Sequence, residues 1–383
     1  MSRPSRLVIA AGGTGGHMFP AQALADEMLA RGWRVSLSTD VRGNAHAGGF
    51  HPDVARQVVA AGSFAQGSLL RRLTVPLRLL AGVIAAWRGF RADRPACVAG
   101  FGGYPAIPAL AAAWMLGLPR LIHEGNAVPG QVNRRFARRV HAVACGVWPT
   151  RLPAGTRAVE IGNPVRASVK SAAATPYAPP ENGVAVGAAG GAASASSSGP
   201  IRLLVFGGSQ GAQVFADLVP AAVARLPKKL QARLAITQQV RADAIGNVET
   251  AYAATDVPPP VLAPFFADMP QLLAQAQLVI ARAGASSLAE IAAIGRPAIL
   301  IPYPHATDDH QAANAQALVA AGGALMLREE GLTGEALAGH IAPLLTEPGR
   351  AARMAASAQG QGRLDAAERL ADLVIALSEG ERP

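Results

Sequence analysis

One local plan occurs twice in this 383-residue chain. A short apolar run leads into a glycine loop, and helical spacing follows. Arg6–Ala11 reads as a strand, Gly12-Gly13-Thr14-Gly15-Gly16-His17 as the loop, and Phe19–Arg31 as a helix with Pro20 suited to its first turn. Ile201–Phe206, Gly207-Gly208-Ser209-Gln210-Gly211 and Gln213–Leu226 repeat the order. Strand-like runs at Trp33–Thr39, Ala96–Gly100, Arg120–His123, Val140–Ala144, Leu234–Thr237, Leu278–Ala281 and Ala298–Ile301 continue the alternation. Repeated β-then-α order implies parallel sheets with helices on both faces. The fold class is therefore α/β, with two Rossmann-like domains facing a cleft where a ligand binds.

Half of the residues are hydrophobic and 16% are charged, enough apolar surface for two cores and too much for a disordered chain. Residues 1–166 form the first domain, 201–360 the second, and 361–383 a C-terminal helix that can pack back on the first. Between them, 167–200 is rich in Ala, Gly, Ser and Pro, and 187–199 is of low complexity. Such a segment buries too little to offset its ordering entropy, so it reads as a flexible linker or insertion. Cys97 and Cys145 lie in apolar runs without metal-ligand spacing and read as buried free thiols in a reducing compartment. The basic start is followed by too short an apolar run for a signal peptide. No run reaches the ~20 apolar residues of a spanning helix. The formal net charge of +10 favours an anionic partner: nucleic acid, an anionic membrane surface or a phosphorylated substrate.

Two further glycine-bearing loops follow strands and precede helices: Gly100-Phe101-Gly102-Gly103-Tyr104 and Arg282-Ala283-Gly284-Ala285-Ser286-Ser287. Glycine lets the backbone approach a ligand, and the helix N-terminus behind it favours anions. One such loop is often turn geometry alone; four, shared by both halves, argue for a phosphate-bearing ligand. A dinucleotide site is the rival. Its fingerprint begun at Gly13 requires glycine at position 18, where Met18 stands, although Asp40 lies where a ribose-binding acid would sit.

The run Ala11-Gly-Gly-Thr-Gly-Gly-His-Met-Phe-Pro20 resembles the opening motif of the MurG family of N-acetylglucosaminyltransferases. Gly102-Gly-Tyr104, His123-Glu124, Gly162-Asn-Pro-Val-Arg166, Gly207-Gly-Ser-Gln-Gly-Ala212, Ala285 to Glu290 and His310-Gln311 are similar to its later motifs, in the same order and across most of the chain. The resemblance implies the two-domain GT-B glycosyltransferase fold, with acceptor and membrane binding in the first domain and UDP-sugar binding in the second. It implies inverting transfer of N-acetylglucosamine from UDP to the C4 hydroxyl of a lipid-linked muramyl-pentapeptide, a step of peptidoglycan synthesis tied to cell shape and division. The location it implies is peripheral, on the cytoplasmic face of the inner membrane, with other cell-wall synthesis and division proteins among the partners.

Carried over by residue, the resemblance places Thr14, Gly15 and Gly16 on the donor and His17 at the reacting centre. Asn126 holds the sugar or diphosphate region, and Arg166 reaches the nucleotide. Ser209 binds the diphosphate, and Phe266 stands where the family recognises uracil through the backbone. Ala285, Ser286, Ser287, Leu288, Ala289 and Glu290 cradle the nucleotide, with Glu290 on the ribose; Gln311 bonds the sugar hydroxyls. Four positions depart from the family pattern: Gly125 replaces a glutamine, Ser286-Ser287 a Leu-Thr pair, and Phe266 an isoleucine. Segment 167–200 is also longer and simpler than usual. Taken alone, His17 could cap a helix and Arg166 could be a surface charge. Glu290, read in the first turn of a helix, could serve the helix dipole.

In-line attack on an α-linked sugar develops oxocarbenium character and needs a base for the incoming hydroxyl. His17 is the candidate base and Glu124 the reserve. Asp308-Asp309-His310 invites a metal reading, but the chain has no Asp-x-Asp motif, so no metal and no cofactor are expected. The charge on UDP then falls to helix N-termini, loop N–H groups and Arg166. Leu69, Leu73, Leu77, Leu80, Ile84 and Trp87 recur at helical spacing among Arg71, Arg72, Arg78 and Arg88. A core-facing face and an apolar patch for anionic lipid are the two readings, and the stripe is expected to serve both, because Pro76 breaks the regular helix and leaves Leu69–Leu73 exposed. Arg134, Arg135, Arg138 and Arg139 add charge that could meet the acceptor diphosphate; no nucleic-acid motif accompanies them. A 2-epimerase of the same fold, a non-catalytic sugar-nucleotide binder and a nicotinamide dehydrogenase are the alternatives.

Overall fold

The computed structural model describes residues 4–13, 15–45, 47–59, 75–180, 199–208, 212–347 and 349–381. It divides into two compact units: Met1–Ala167 with Arg363–Pro383, and Ser168–Gly362.

The first unit holds a seven-stranded sheet, β1 Arg6–Ala10, β2 Arg34–Thr39, β3 Ala55–Val58, β4 Cys97–Gly100, β5 Arg120–Glu124, β6 Ala142–Cys145 and β7 Ala158–Glu160, in the order β3-β2-β1-β4-β5-β6-β7. Every pair is parallel. The two-residue period of β1 sends Leu7 and Ile9 to one face and Val8 and Ala10 to the other, and each face has its own core. Leu7 and Ile9 pack with Leu24 and Met28 of α1 (Gly15–Ala30). The same core takes Leu370, Val374 and Leu377 from the C-terminal helix Ala366–Ser378, which lies against α1. Val8 and Ala10 pack under α2 (Val75–Ala92) and α3 (Ala106–Met115) through Phe90 and Leu110.

The second unit has six strands, β8 Ile201–Phe206, β9 Leu234–Gln239, β10 Val261–Ala263, β11 Leu278–Ala281, β12 Ala298–Leu300 and β13 Ala324–Met326, ordered β10-β9-β8-β11-β12-β13 and all parallel. In both units the chain reverses its direction of travel across the sheet beside the first strand. The loops after β1 and β4 are therefore neighbours, as are those after β8 and β11, and each pair lies at a topological switch point.

Four readings change. Helix α1 starts at Gly15, not Phe19, so His17 is its third residue and Pro20 lies inside it. Pro20 lacks only the N–H that would reach the carbonyl four residues back, and tertiary burial on both sides holds the helix. Pro76 does not break α2 but occupies its second position, where a proline costs no hydrogen bond. The stretch read as a linker from 167 begins with a helix, Ala167–Ala173, whose Val169 and Ala172 are buried. After it, the Arg296 guanidinium donates to the Thr175 carbonyl at 3.0 Å and the Tyr177 hydroxyl to the Gln277 carbonyl at 2.8 Å. Alanine and serine there serve a helix that helps close the second unit. Finally, Glu290 is the sixth residue of its helix and 8% exposed, beyond the first turn where the dipole acts. The low-complexity run lies outside the described residues, apart from its last glycine, as do Thr14, Ser209, Leu69 and Leu73.

Candidate active site

In the first unit the site grows from the interlocked loops after β1 and β4. Gly102 and Gly103 adopt φ of 94° and 76°, left-handed values that favour glycine. A Cβ on Gly102 would stand 3.2 Å from His17 Nε2, one on Gly103 3.2 Å from the Gly12 carbonyl, and one on Gly12 2.5 Å from the Pro105 ring. Side chains at these positions would push the loops apart.

His17 Nδ1 lies 3.0 Å from the Gly12 carbonyl oxygen. A carbonyl only accepts, so Nδ1 carries a proton, and in the neutral ring Nε2 is the nitrogen that keeps its lone pair. The backbone thus fixes the tautomer a general base requires, in the way a carboxylate does in catalytic triads.

Beneath it is His123 at the end of β5, 2% exposed, with Nε2 3.2 Å from the Gly162 carbonyl. Burial pushes its pKa down to about 4, against the opposing bond to Gly162 and with help from neighbouring His17. Glu124, next in sequence, is also 2% exposed. Its Oε1 accepts from the Asn126 backbone N–H at 2.9 Å and from Asn126 Nδ2 at 3.1 Å. Its Oε2 accepts from the Gly130 N–H at 3.0 Å and from Asn133 Nδ2 at 2.9 Å. A carboxylate so occupied organises the 125–130 loop and holds Asn126 in place. That makes it a weak candidate for proton abstraction.

Asn133 carries no role in the sequence reading, yet it ties this cluster together. It is 4% exposed, and Nδ2 faces two acceptors, Glu124 Oε2 and the His123 carbonyl, which fixes the orientation of the amide. Both of its terminal atoms lie within 3.5 Å of the position a Gly102 Cβ would take, beside His17. Its only sequence signal was position, one turn after Gly130 in an arginine-rich helix (Gln131–Phe136). Arg166 is half-buried, with its guanidinium 4.1 Å from the centroid of Phe19 on α1, and so belongs to the same unit as His17.

The second unit brings its own candidates to the ends of β8, β11 and β12. Gly208 has φ of 78°, and Ser287 Oγ lies 3.7 Å from where its Cβ would be, so the third and fourth glycine loops adjoin at Ser287. Helix Ala285–Ile294 is entered through extended Gly284, with Ala285, Ser286, Ser287 and Ala289 half-buried and Leu288 and Glu290 buried. Gln239 links the Gly207 N–H, at 3.0 Å, to the Pro264 carbonyl, also at 3.0 Å, which sets the turn bearing half-buried Phe266 beside the third loop. Gln311, second residue of helix His310–Ala320, accepts from the Tyr303 N–H at 2.9 Å through Oε1. Gly15 is buried and Gly16 exposed at the start of α1. Asp309, one of the acids in the metal reading, is held by Arg328 instead.

Comparison with known proteins bears on what such a pair of sites does. Residues 7–145 match the glycosyltransferase family 28 N-terminal domain, and residues 202–370 the glycosyltransferase family 28 C-terminal domain. The chain is 46% identical over 386 aligned residues to a curated Brucella abortus (strain S19) protein, covering 98% of this chain and 95% of the relative. That relative is named UDP-N-acetylglucosamine–N-acetylmuramyl-(pentapeptide) pyrophosphoryl-undecaprenol N-acetylglucosamine transferase. Among solved structures, Acinetobacter baumannii MurG aligns with a TM-score of 0.75 at 29% identity, over 97% of this chain and 99% of that one. A UDP-N-acetylglucosamine 2-epimerase aligns with a TM-score of 0.67 at 12% identity, over 100% and 98%, and shares the fold alone.

Proposed function

The chain belongs to the MurG-type N-acetylglucosaminyltransferases of glycosyltransferase family 28, and from that premise we propose that it transfers N-acetylglucosamine from UDP to the C4 hydroxyl of a lipid-linked muramyl-pentapeptide. The observation that carries the mechanistic part is the His17 tautomer. With Nδ1–H committed to the Gly12 carbonyl, Nε2 takes the hydroxyl proton as the oxygen attacks the anomeric carbon. The C–O bond to UDP breaks on the opposite face, the configuration inverts, and the electron pair leaves on the diphosphate. The resulting imidazolium is stabilised by its bond to Gly12. Glu124 acts through Asn126, which it presents to the substrate. The donor lies on the second unit, with the diphosphate at the helix start behind Gly207–Gly208, the ribose at Glu290 and the sugar at Gln311. Arg166, the residue that the family resemblance assigns to the nucleotide, supplies a positive charge suited to a diphosphate. The absence of an Asp-x-Asp motif favours donor binding without a divalent ion.

The lipid-linked acceptor is reached from a membrane surface. Among the described residues no helix is long and apolar enough to cross a membrane. Helix α2 buries Val75, Gly82, Ala86 and Phe90 and leaves Leu77, Leu80 and Ile84 exposed. These three members of the apolar stripe therefore face solvent, flanked by exposed Arg78, Arg88 and Arg91, while half-buried Trp87 packs against the core. Trp114 and Met115 are exposed at the end of the neighbouring α3, with the Arg139 guanidinium 5.8 Å from the Trp114 ring. An apolar face with a basic rim suits peripheral binding to anionic lipid on the cytoplasmic side.

The test is UDP release from UDP-N-acetylglucosamine with and without the lipid-linked muramyl acceptor. Release that requires the acceptor supports transfer; release without it supports a 2-epimerase-like or hydrolytic reaction.

A further inference from the structure

Two consecutive residues after β13 reach two different loops of the second unit. The sheet ladder runs past β13 through the Leu327 N–H, 2.9 Å from the Leu300 carbonyl, so Arg328 and Glu329 start from a rigid strand end. Arg328 grips Asp309 with both guanidinium arms, Nη1 to Oδ1 at 2.9 Å and Nη2 to Oδ2 at 2.8 Å. Glu329 Oε2 stands 2.5 Å from Nη1 of Arg282, a charge contact to a guanidinium only 7% exposed. The same Arg282 nitrogen donates to the carbonyls of Ile301 and Pro302, each at 3.1 Å. Its guanidinium also stacks on Phe215 and Tyr303, 5.2 and 5.4 Å from the ring centroids.

The gripped segments are those bearing the donor candidates. Arg282 opens the loop that enters the Ala285–Glu290 turn. Asp309 lies two residues before Gln311, in backbone that resists its own shape: Asp308 and Asp309 have φ of 53° and 49°. Consecutive left-handed non-glycine residues are rarely stable without an outside hold. The bidentate pair supplies that hold, and it keeps the Asp309 carboxyl below its usual range.

We propose that Arg328 and Glu329 are positioning residues for the sugar-nucleotide donor: Arg328 sets the turn that presents Gln311 to the sugar, and Glu329, through Arg282, sets the loop that presents the Ala285–Glu290 turn to the nucleotide. This rests on reading those residues as donor contacts. Each half has its own signature. Arg328→Ala weakens UDP-N-acetylglucosamine by about fivefold and leaves UDP alone unchanged, since a mostly exposed pair contributes at most ~1 kcal/mol, equivalent to that ratio. Glu329→Gln, which keeps the side-chain shape and removes the charge, weakens UDP and UDP-N-acetylglucosamine together.

Calorimetry on the full chain tests this, with Gln311→Ala and the Arg328→Ala/Gln311→Ala double variant alongside. If Arg328 acts through Gln311, the double variant binds no more weakly than Gln311→Ala. Additive losses, or an Arg328→Ala variant that binds both ligands like the wild type while Gln311→Ala loses affinity for the sugar nucleotide, overturn the Arg328 half. Unchanged UDP affinity in Glu329→Gln overturns the other half. If Gln311→Ala itself binds UDP-N-acetylglucosamine normally, the assignment of Gln311 to the sugar fails instead. Melting temperatures near wild type for Arg328→Ala separate positioning from folding.

Discussion

The exposed face of α2 permits a test in which membrane binding and folding are separable. Leu77, Leu80 and Ile84 are 69, 57 and 43% exposed. Burying a whole aliphatic side chain contributes about 1.5–3 kcal/mol, so covering the exposed fractions of these three with lipid contributes about 2.5–5 kcal/mol, roughly two to nearly four powers of ten in partitioning. Replacing all three with serine removes that term. It leaves the core of Val75, Gly82, Ala86 and Phe90 intact, and exposed substitutions usually change stability by less than ~0.5 kcal/mol each. The assay is co-sedimentation with anionic vesicles at low and high salt, with thermal melting in parallel. The expected result is loss of vesicle binding with an almost unchanged melting temperature and retained activity on a water-soluble acceptor. Raising the salt should weaken the wild type as well, because each arginine near an anionic surface adds about 1 kcal/mol that salt screens. A triple variant that sediments like the wild type refutes this face as the docking surface and turns attention to Trp114 and Arg134–Arg139.

Three further outcomes concern the catalytic cluster. His123 is held neutral, with a pKa of about 4 against an ordinary ~6.5, so the unfolded chain binds the extra proton between these values. Its contribution is complete above pH ~6.5 and falls by up to about 3 kcal/mol as pH drops toward 4; urea melts of wild type and His123→Gln at pH 7.5 and 5 should show a smaller pH effect in the variant, and equal slopes would reject the assignment. Gly102→Ala, at φ 94°, places a methyl 3.2 Å from His17 Nε2, whereas Gly380→Ala, at a comparable φ of 88°, has no neighbour within 4 Å; only the first should lower turnover, by about tenfold or more, in steady-state kinetics. Glu124→Gln leaves an amide donor facing donors at one oxygen position, so urea melts should show a loss of about 1–3 kcal/mol and donor turnover should fall with it; a stable, fully active variant would contradict the loop-organising role.

Much of this architecture was legible because it is local. Strand, glycine loop and helix succeed one another within 25 residues, and the alternation implies the parallel sheets. Errors arose where tertiary packing overrides propensity. Gly15 and Gly16 are poor helix formers and Pro20 prefers a first turn, so α1 was read as starting late; burial of Met18, Ala21 and Leu24 carries the helix back to Gly15 and puts His17 on its first turn. The helix Ala167–Ala173 was lost in a stretch whose alanines and serines resemble the low-complexity run behind it. The stripe on α2 is ambiguous by periodicity, since a helix can show apolar residues on a core face and a lipid face alike; only burial separates Phe90 from Leu77. Asn133 left only its position after Gly130 as a sequence signal and the Arg328-Glu329 pair left none, because their partners lie 9 to 47 residues away along the chain. Such links follow from how strands are ordered in the sheet, which no short window records.

The central claim is most directly tested by transfer of labelled N-acetylglucosamine from UDP to the lipid-linked muramyl acceptor, with wild type and His17→Ala side by side and a chelator present. The account predicts labelled lipid product from the wild type, with a rate about 10²- to 10⁴-fold lower in His17→Ala and donor affinity nearly unchanged, because the base acts on the acceptor hydroxyl in the transition state. Label that never reaches the lipid contradicts the transfer reaction. Turnover by His17→Ala within a fewfold of the wild type contradicts the base that the Gly12 carbonyl orients.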